Sequence, residues 1–296
     1  MRIVMSGASG FLGHDLVRRL RGEGHRVIRL VRREPRTEDE APWDPARGDI
    51  DPTLLSGADA VVNLSGAGVG DKRWTPAYKR EIRDSRVKAT TTIAAATAAA
   101  RPRPTAILNA SAVGWYGDTG EHAVDEDSPP GAGFFPEVCE SWEAATMAAV
   151  DAGVRVTKLR TGLVLAASDG LLRPMLPLFR LGLGGRLGSG RQYMSWISLA
   201  DWIGAVIFLL EREIAGPVNL TAPHPQTNAD FTRELGKAVG RPAVLPVPAP
   251  ALRVALGEFA NEATTSQRVL PGQLTRSGYR FEHPELGPAL RWALRR

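Results

Sequence analysis

Two rhythms of hydrophobic and polar positions alternate along this chain. Short unbroken apolar runs have the character of strands covered on both faces, and stretches with apolar residues every three or four positions have that of amphipathic helices. Ile3-Val4-Met5 is the first run, and Leu12, Leu16, Val17 and Leu20 follow at helical spacing as far as Gly22. Arg26 to Val31 is a second strand, a short one fits residues 41–44, and Ala58 to Leu64 is the next buried run. A long helix opens at Pro76 and runs to about Ala100, then come a strand at Thr105 to Ser111, a helix at Glu137 to Ala152 and a strand from Val154 to Leu159 that continues to Leu165. Farther on, the pattern predicts a helix from Leu171 to Leu183 kinked at its prolines, helices at 199–211 and 228–239 with Asn228 as N-cap, and a strand at 218–220 between those two. Helical segments from about 249 to Leu294 close the chain. Strands alternating with helices place the chain in the α/β class with a parallel sheet.

The first strand ends in Ser6-Gly7-Ala8-Ser9-Gly10-Phe11-Leu12-Gly13, three glycines at three-residue spacing where a strand turns into a helix. Gly7 suits a backbone conformation closed to other residues, Gly10 leaves room for a phosphate against the main chain, and Gly13 lets the helix pack closely on the sheet. The free N–H groups at the helix start then face a pyrophosphate. Gly7, Ser9, Gly10, Phe11, Leu12 and Gly13 are therefore expected to hold a dinucleotide; the alternative is a glycine-rich turn with no ligand. NAD enzymes usually carry an acid for the adenosine ribose at the end of the second strand. Arg32 and Arg33 stand there instead, and guanidinium groups pair with a 2′-phosphate, so NADP(H) is expected over NAD(H). Trp43 or Asp44 borders the adenine or serves packing alone. After the run ending at Leu64, Asn63, Leu64, Ser65, Gly66 and Ala67 offer small side chains and backbone to the nicotinamide end. Arg86, one turn from Arg83, reaches a phosphate or lies on a solvated helix face.

Composition narrows the remaining choices. The 296 residues are 43% hydrophobic and 23% charged, ordinary for a soluble globular protein. Cys139 is the only cysteine, so no intrachain disulfide forms, and no His/Cys cluster joins the carboxylates of residues 118–127 at metal spacing. Those carboxylates are read as a solvated loop. No segment is long and apolar enough for a membrane span and no signal peptide opens the chain, so a cytoplasmic protein without a membrane partner is expected. The net charge of +5 comes from scattered arginines without an aromatic-basic module, which argues against a nucleic-acid partner. Five glycines within residues 182–190 suggest a flexible loop or lid.

These motifs resemble the short-chain dehydrogenase/reductase superfamily. The SGASGFLG loop is similar to that of its extended, epimerase-like branch, VVNLSGAG to its NxAG-type turn, and Ala112 to Gly117 to its SSxxVYG segment. CESWEAA at 139–145, LRTGLVL at 159–165, the 181–197 stretch and the 266–286 stretch resemble an atypical extended subgroup labelled sugar-nucleotide epimerase-like or cell-division-inhibitor-like. The resemblance implies a Rossmann-type doubly wound parallel sheet with a smaller substrate-side and C-terminal lobe. It implies residues 1–165 as an NADP-binding domain with returning segments near 198–221, a substrate-side lobe at 166–248 and a small C-terminal domain at 249–296. It implies NADP(H), a small-molecule substrate and a homodimer.

The superfamily's chemistry uses a tyrosine, a lysine four residues later and a serine. By resemblance, the tyrosine and lysine positions are Cys139 and Glu143 here, and the usual serine position is Ala112. Ser111, Tyr116 and Glu143 are the substitutes on offer, with Ser111 and Arg160 also counted toward the cofactor. Two readings stand: an NADP(H)-dependent oxidoreductase or epimerase, with Glu143 as acid/base, and a non-catalytic NADP(H)-binding regulatory protein, for example in cell division, with Glu143 paired to an arginine such as Arg160 or Arg86.

Overall fold

The structure, a computed structural model, describes residues 1–295; Arg296, the last residue of the expected C-terminal domain, lies outside them. The chain divides into two compact units. Met1–Ser111, Glu137–Leu159 and Val206–Pro217 form the first, and Ala112–Pro136, Arg160–Ala205 and the chain from Val218 onward form the second.

The apolar runs become the strands of one seven-stranded sheet: β1 (Arg2–Ser6), β2 (Arg26–Val31), β3 (Glu40–Pro42), β4 (Ala60–Asn63), β5 (Ala106–Ala112), β6 (Arg155–Thr161) and β7 (Gly216–Leu220). Their spatial order is β7-β6-β5-β4-β1-β2-β3. β1 pairs in parallel with β2 and β4, placing Ile3 beside Val27 and Ala60. The order reverses between β1 and β4, the switch point of a doubly wound Rossmann-type sheet, where ligands sit beyond the strand C-termini. The short strand spans Glu40–Pro42 where residues 41–44 were expected, and just beyond it the Trp43 N–H still donates to the Val31 carbonyl at 3.0 Å.

α1 (Phe11–Gly22) buries Gly13, Leu16, Val17 and Leu20, the stripe its spacing predicts. α2 (Pro76–Ala99) starts where the Thr75 side chain accepts the Tyr78 N–H and Pro76 presets the first turn. Its alanines let the helix lie close to the sheet: Ala89, Ile93 and Ala96 pack in one cluster with Val4, Ile28, Val61, Ile107 and Val156. The expected helix at 137–152 is two helices, α3 (Phe134–Ala144) and α4 (Met147–Asp151). Thr146 causes the break: its hydroxyl donates to the Glu143 carbonyl at 2.7 Å and so competes with the helical ladder.

The second unit has its own core, in which Leu172, Leu176 and Phe179 meet Trp196, Phe231, Leu235 and Leu290. Buried Asp201 fastens the C-terminal segment here, accepting the Ser198 hydroxyl at 2.7 Å and the Glu282 and His283 N–H groups at 2.6 and 2.9 Å. Three expectations change in this unit. The helix at Asn228–Val239 is capped by the Thr227 side chain, and the Asn228 side chain accepts the Leu187 N–H at 2.7 Å instead. The helix after Leu171 ends at Arg180, where Gly182 turns with φ +74°. The glycine-rich segment is tied down: Val247 donates to the Arg186 carbonyl and Gly188 to the Val247 carbonyl, both at 2.9 Å. Among the described residues no helix is long and apolar enough to cross a membrane.

Candidate active site

β1 delivers its chain into Gly7, whose φ of +69° is the left-handed conformation that favours glycine. A Cβ on Gly7 would lie 2.6 Å from the Leu64 carbonyl group, so the turns after β1 and β4 approach each other backbone to backbone. Gly10 caps α1 in an extended conformation without a side-chain hydrogen bond, which leaves the first-turn N–H groups to an external acceptor. Gly13 packs closer still, with room for no Cβ against the Gly7 carbonyl. A cavity of about 700 Å³ opens in front of this cradle.

Of the residues expected at the cofactor, Gly7, Ser9, Gly10, Arg32, Arg33, Leu64, Ser65, Gly66 and Ala67 line that cavity. Phe11, Leu12, Gly13, Asn63, Arg86, Ser111 and Arg160 stand outside its lining, and several of them support it. Asn63 is buried and spends its amide on structure: it accepts the Ser6 hydroxyl at 2.6 Å and the Ser65 N–H at 3.2 Å, and donates to Thr90 and Asn109. It thereby fixes the turn that follows β4. Arg86 donates to the Ala67 carbonyl at 3.0 Å and lies over the Trp142 ring, so it braces the same turn from below. Burial lowers the Arg86 pKa from its ordinary 12.5.

At the far end of the cavity Arg29, Arg33 and Glu40 form a cluster, and Trp43 adds a ring to the lining while packing in the core. Arg33 grips Glu40 with both terminal nitrogens, each at 2.8 Å. The Arg33 hydrogen bonds and the Arg36 N–H hold the Glu40 carboxyl down at about 2, against an ordinary 4.5. Arg29 and Glu40 were missed in the sequence. The available signal was an arginine inside an otherwise apolar strand and an acid at the start of a short one, which face each other across the β2–β3 ladder.

A second cluster lies on the same unit. The Ser111 hydroxyl donates to Glu143 Oε1 at 2.7 Å, and both residues are buried. Lys158 brings its ammonium to 3.8 Å from Glu143 Oε2. Lys158 is thus a cation beside Glu143 that the sequence reading, which offered Arg86 or Arg160, did not name. A lysine within the buried pattern of β6 was the signal for it, since such a charge is seldom buried unpaired. Cys139, one turn before Glu143, is 1% exposed.

Tyr116 and Arg160 belong to the second unit. The Tyr116 hydroxyl donates to Asn219 Oδ1 at 2.8 Å and accepts from Arg160 at 3.0 Å, and burial pushes its pKa up to about 12. The Arg160 guanidinium stacks on the Trp115 ring, 3.9 Å from its centroid. Glu126, read from the sequence as part of a solvated loop, is buried and accepts the N–H groups of Asn219 and Gln273. Burial raises its pKa.

Residues 3–220 match the NAD dependent epimerase/dehydratase family, and residues 247–293 match a domain of unknown function. The chain belongs to this epimerase/dehydratase family. Among its curated relatives is Epimerase family protein Mb2239 of Mycobacterium bovis, 47% identical over 99% of this chain and 98% of that protein. Human epimerase family protein SDR39U1, solved with NADPH, superposes with a TM-score of 0.92 at 33% identity, over 100% of this chain and 99% of that one. A nucleoside-diphosphate sugar epimerase from Corynebacterium glutamicum gives a TM-score of 0.80 at 35% identity, over 99% of this chain and 58% of that one. For an epimerase/dehydratase family member the glycine cradle has the chemistry a dinucleotide needs: backbone donors, no side chain in the way, and cations at the far end.

Proposed function

We propose that this chain is an NADP(H)-dependent oxidoreductase or epimerase acting on a small, nucleotide-linked substrate. Gly7, Ser9 and Gly10 with the start of α1 (Phe11, Leu12) hold the pyrophosphate, Arg32 and Arg33 face the 2′-phosphate, and Leu64 to Ala67 take the nicotinamide end. The solved relative that carries NADPH supports this assignment. When bound, the nicotinamide accepts or returns a hydride.

One observation carries the catalytic part: the buried bond from Ser111 to Glu143, at the end of β5 and on the helix where the wider superfamily keeps its acid/base residues. The Ser111 proton is committed to Glu143, so the serine oxygen keeps its lone pairs for a further donor. A substrate hydroxyl that donates to Ser111 passes its proton along to Glu143 as the carbonyl forms, and the reverse transfer protonates a carbonyl on reduction. Lys158 stands against the opposite carboxylate oxygen and keeps the Glu143 side chain turned toward Ser111.

The same Lys158 contact favours a second reading, an NADP(H)-binding regulatory protein in which Ser111, Glu143 and Lys158 only join β5, α3 and β6. Glu143→Gln separates the two, because it keeps an acceptor for Ser111 and removes the proton site. The enzyme reading expects unchanged NADPH affinity and melting temperature, with NADPH oxidation over a panel of carbonyl and sugar-nucleotide substrates reduced by about 10²–10⁴-fold. A lowered melting temperature with turnover intact assigns Glu143 to structure.

A further inference from the structure

Glu40 has the look of the ribose-binding acid of an NAD enzyme: a carboxylate at the adenosine end of the cavity. Its hydrogen bonds assign it otherwise. Oε1 receives Arg33 Nη2 at 2.8 Å and Arg29 Nη2 at 2.9 Å. Oε2 receives Arg33 Nη1 at 2.8 Å and the Arg36 N–H at 2.7 Å. A carboxylate offers about four acceptor sites, and four donors occupy them, so no lone pair is left for a ribose hydroxyl. The side chain is 2% exposed and has no freedom to turn away from its partners.

The arginines divide accordingly. The β2–β3 register sets Arg29 directly beside Glu40, and the buried Arg29 Nε–H meets no acceptor among the described residues. The fold leaves that donor unsatisfied while keeping the second cation on Glu40. Arg33 is clamped as a flat fork, with Nη1 also donating to the Glu34 carbonyl at 2.8 Å. Arg32 lines the cavity and, among the described residues, its guanidinium makes no hydrogen bond or ion pair. The three guanidinium groups and one carboxylate leave two positive charges at this end, the complement of a phosphate dianion.

We propose that Glu40 is a positioning residue for cofactor selectivity: by pinning Arg33 beside the free Arg32, it makes the adenosine end of the cavity select a 2′-phosphorylated adenosine over an unmodified one. This rests on the dinucleotide reading of the cavity. Pinning and charge have opposite consequences. If Glu40 acted only as a negative charge, neutralising it would strengthen phosphate binding, and shortening it to aspartate would change little. If it acts by holding Arg33 in place, both changes weaken phosphate binding, because the donors that Glu40 and Glu34 leave on Arg33, Nε–H and the second Nη2–H, meet a phosphate only when the guanidinium plane is set.

The test is calorimetric titration of the full-length protein with adenosine 2′,5′-bisphosphate and with 5′-AMP, neither of which carries a nicotinamide. Wild-type protein is expected to prefer the bisphosphate, and Glu40→Gln and Glu40→Asp each to lose roughly tenfold of that preference, with 5′-AMP affinity held within about twofold. In an Arg33→Met background, Glu40→Gln should change the preference by less than about twofold, since the two residues act as one unit. A stronger preference in Glu40→Gln, an unchanged one in Glu40→Asp, or full additivity with Arg33→Met overturns the proposal. So does an equal loss for both ligands, which marks a merely structural role. If Glu40→Gln does not fold, Glu40→Asp and Arg33→Met decide. Wild-type protein that binds neither nucleotide refutes the dinucleotide reading itself, whereas equal binding of both refutes only the role given to Glu40.

Discussion

A methyl group on Gly13 would sit 2.1 Å from the Gly7 carbonyl oxygen and 2.9 Å from the Ala8 Cα, whereas one on Gly10 would meet only the Gly7 carbonyl, at 3.3 Å. The two glycines of one loop therefore fail differently. Gly13→Ala must push α1 off β1, and the expected loss is about 1–3 kcal/mol in a denaturant melt. Gly10→Val is expected to keep the melting temperature and abolish NADPH binding by fluorescence titration, because its side chain takes the space of the pyrophosphate. Tyr116 supplies a pH-dependent case. Its pKa is raised from 10.0 to about 12, chiefly by burial, so the neutral phenol is the form the fold favours. The sign follows: its contribution is complete below pH 10 and is lost as pH rises from 10 through about 12. Tyr116→Phe removes the hydrogen bonds to Asn219 and from Arg160 and should cost about 1–3 kcal/mol at pH 8. Melting curves at pH 8 and pH 11 should show that gap narrowing at the higher pH.

Elements were legible where their cause is local. The stripe of α1, the Pro76 start of α2 and the loop between β1 and α1 follow from spacing and from the conformational needs of single residues, and the structure has them there. Features that depend on which way a side chain turns, or on a distant partner, were not legible. Thr146 breaks the α3–α4 region by turning its hydroxyl back on Glu143, and nothing in an apolar period reports which way a hydroxyl turns. The same holds for the site. Arg32, Arg33 and the glycines are readable from position, whereas Glu40 and Lys158 gain their meaning from the strand or helix laid beside them. Residues 182–190 are the sharpest case. Their glycines suggested freedom, yet a Cβ on Gly185 would lie 1.3 Å from the Leu245 carbonyl oxygen, so at this position the missing side chain permits backbone contact. Gly185→Ala is expected to force the two segments apart, and hydrogen exchange at Gly188 and Val247 should accelerate by tenfold or more if about 1.4 kcal/mol of local stability is lost.

For the whole molecule the decisive fact is that each unit is assembled from three separate stretches of chain. The first unit needs residues 206–217: Arg155 donates to the Leu209 carbonyl and Thr157 to the Ile214 carbonyl, at 3.1 and 2.6 Å. A protein truncated after Leu165 keeps the glycine loop and six strands but leaves these donors bare. It is expected to show no cooperative thermal transition by circular dichroism. The interleaving also has a consequence during synthesis on the ribosome. Ser111 closes the first stretch of this unit, and Pro217, which closes the last, is polymerised roughly a hundred residues later. At about 5–20 residues per second that delay is on the order of 5–20 s. Through much of that interval β6 waits as the open margin of the sheet, its ladder unpaired on the side that β7 will occupy. An unpaired margin of this kind is where a nascent chain adheres to its neighbours, so the yield of soluble protein should depend on how quickly translation covers the stretch between Thr161 and Leu220.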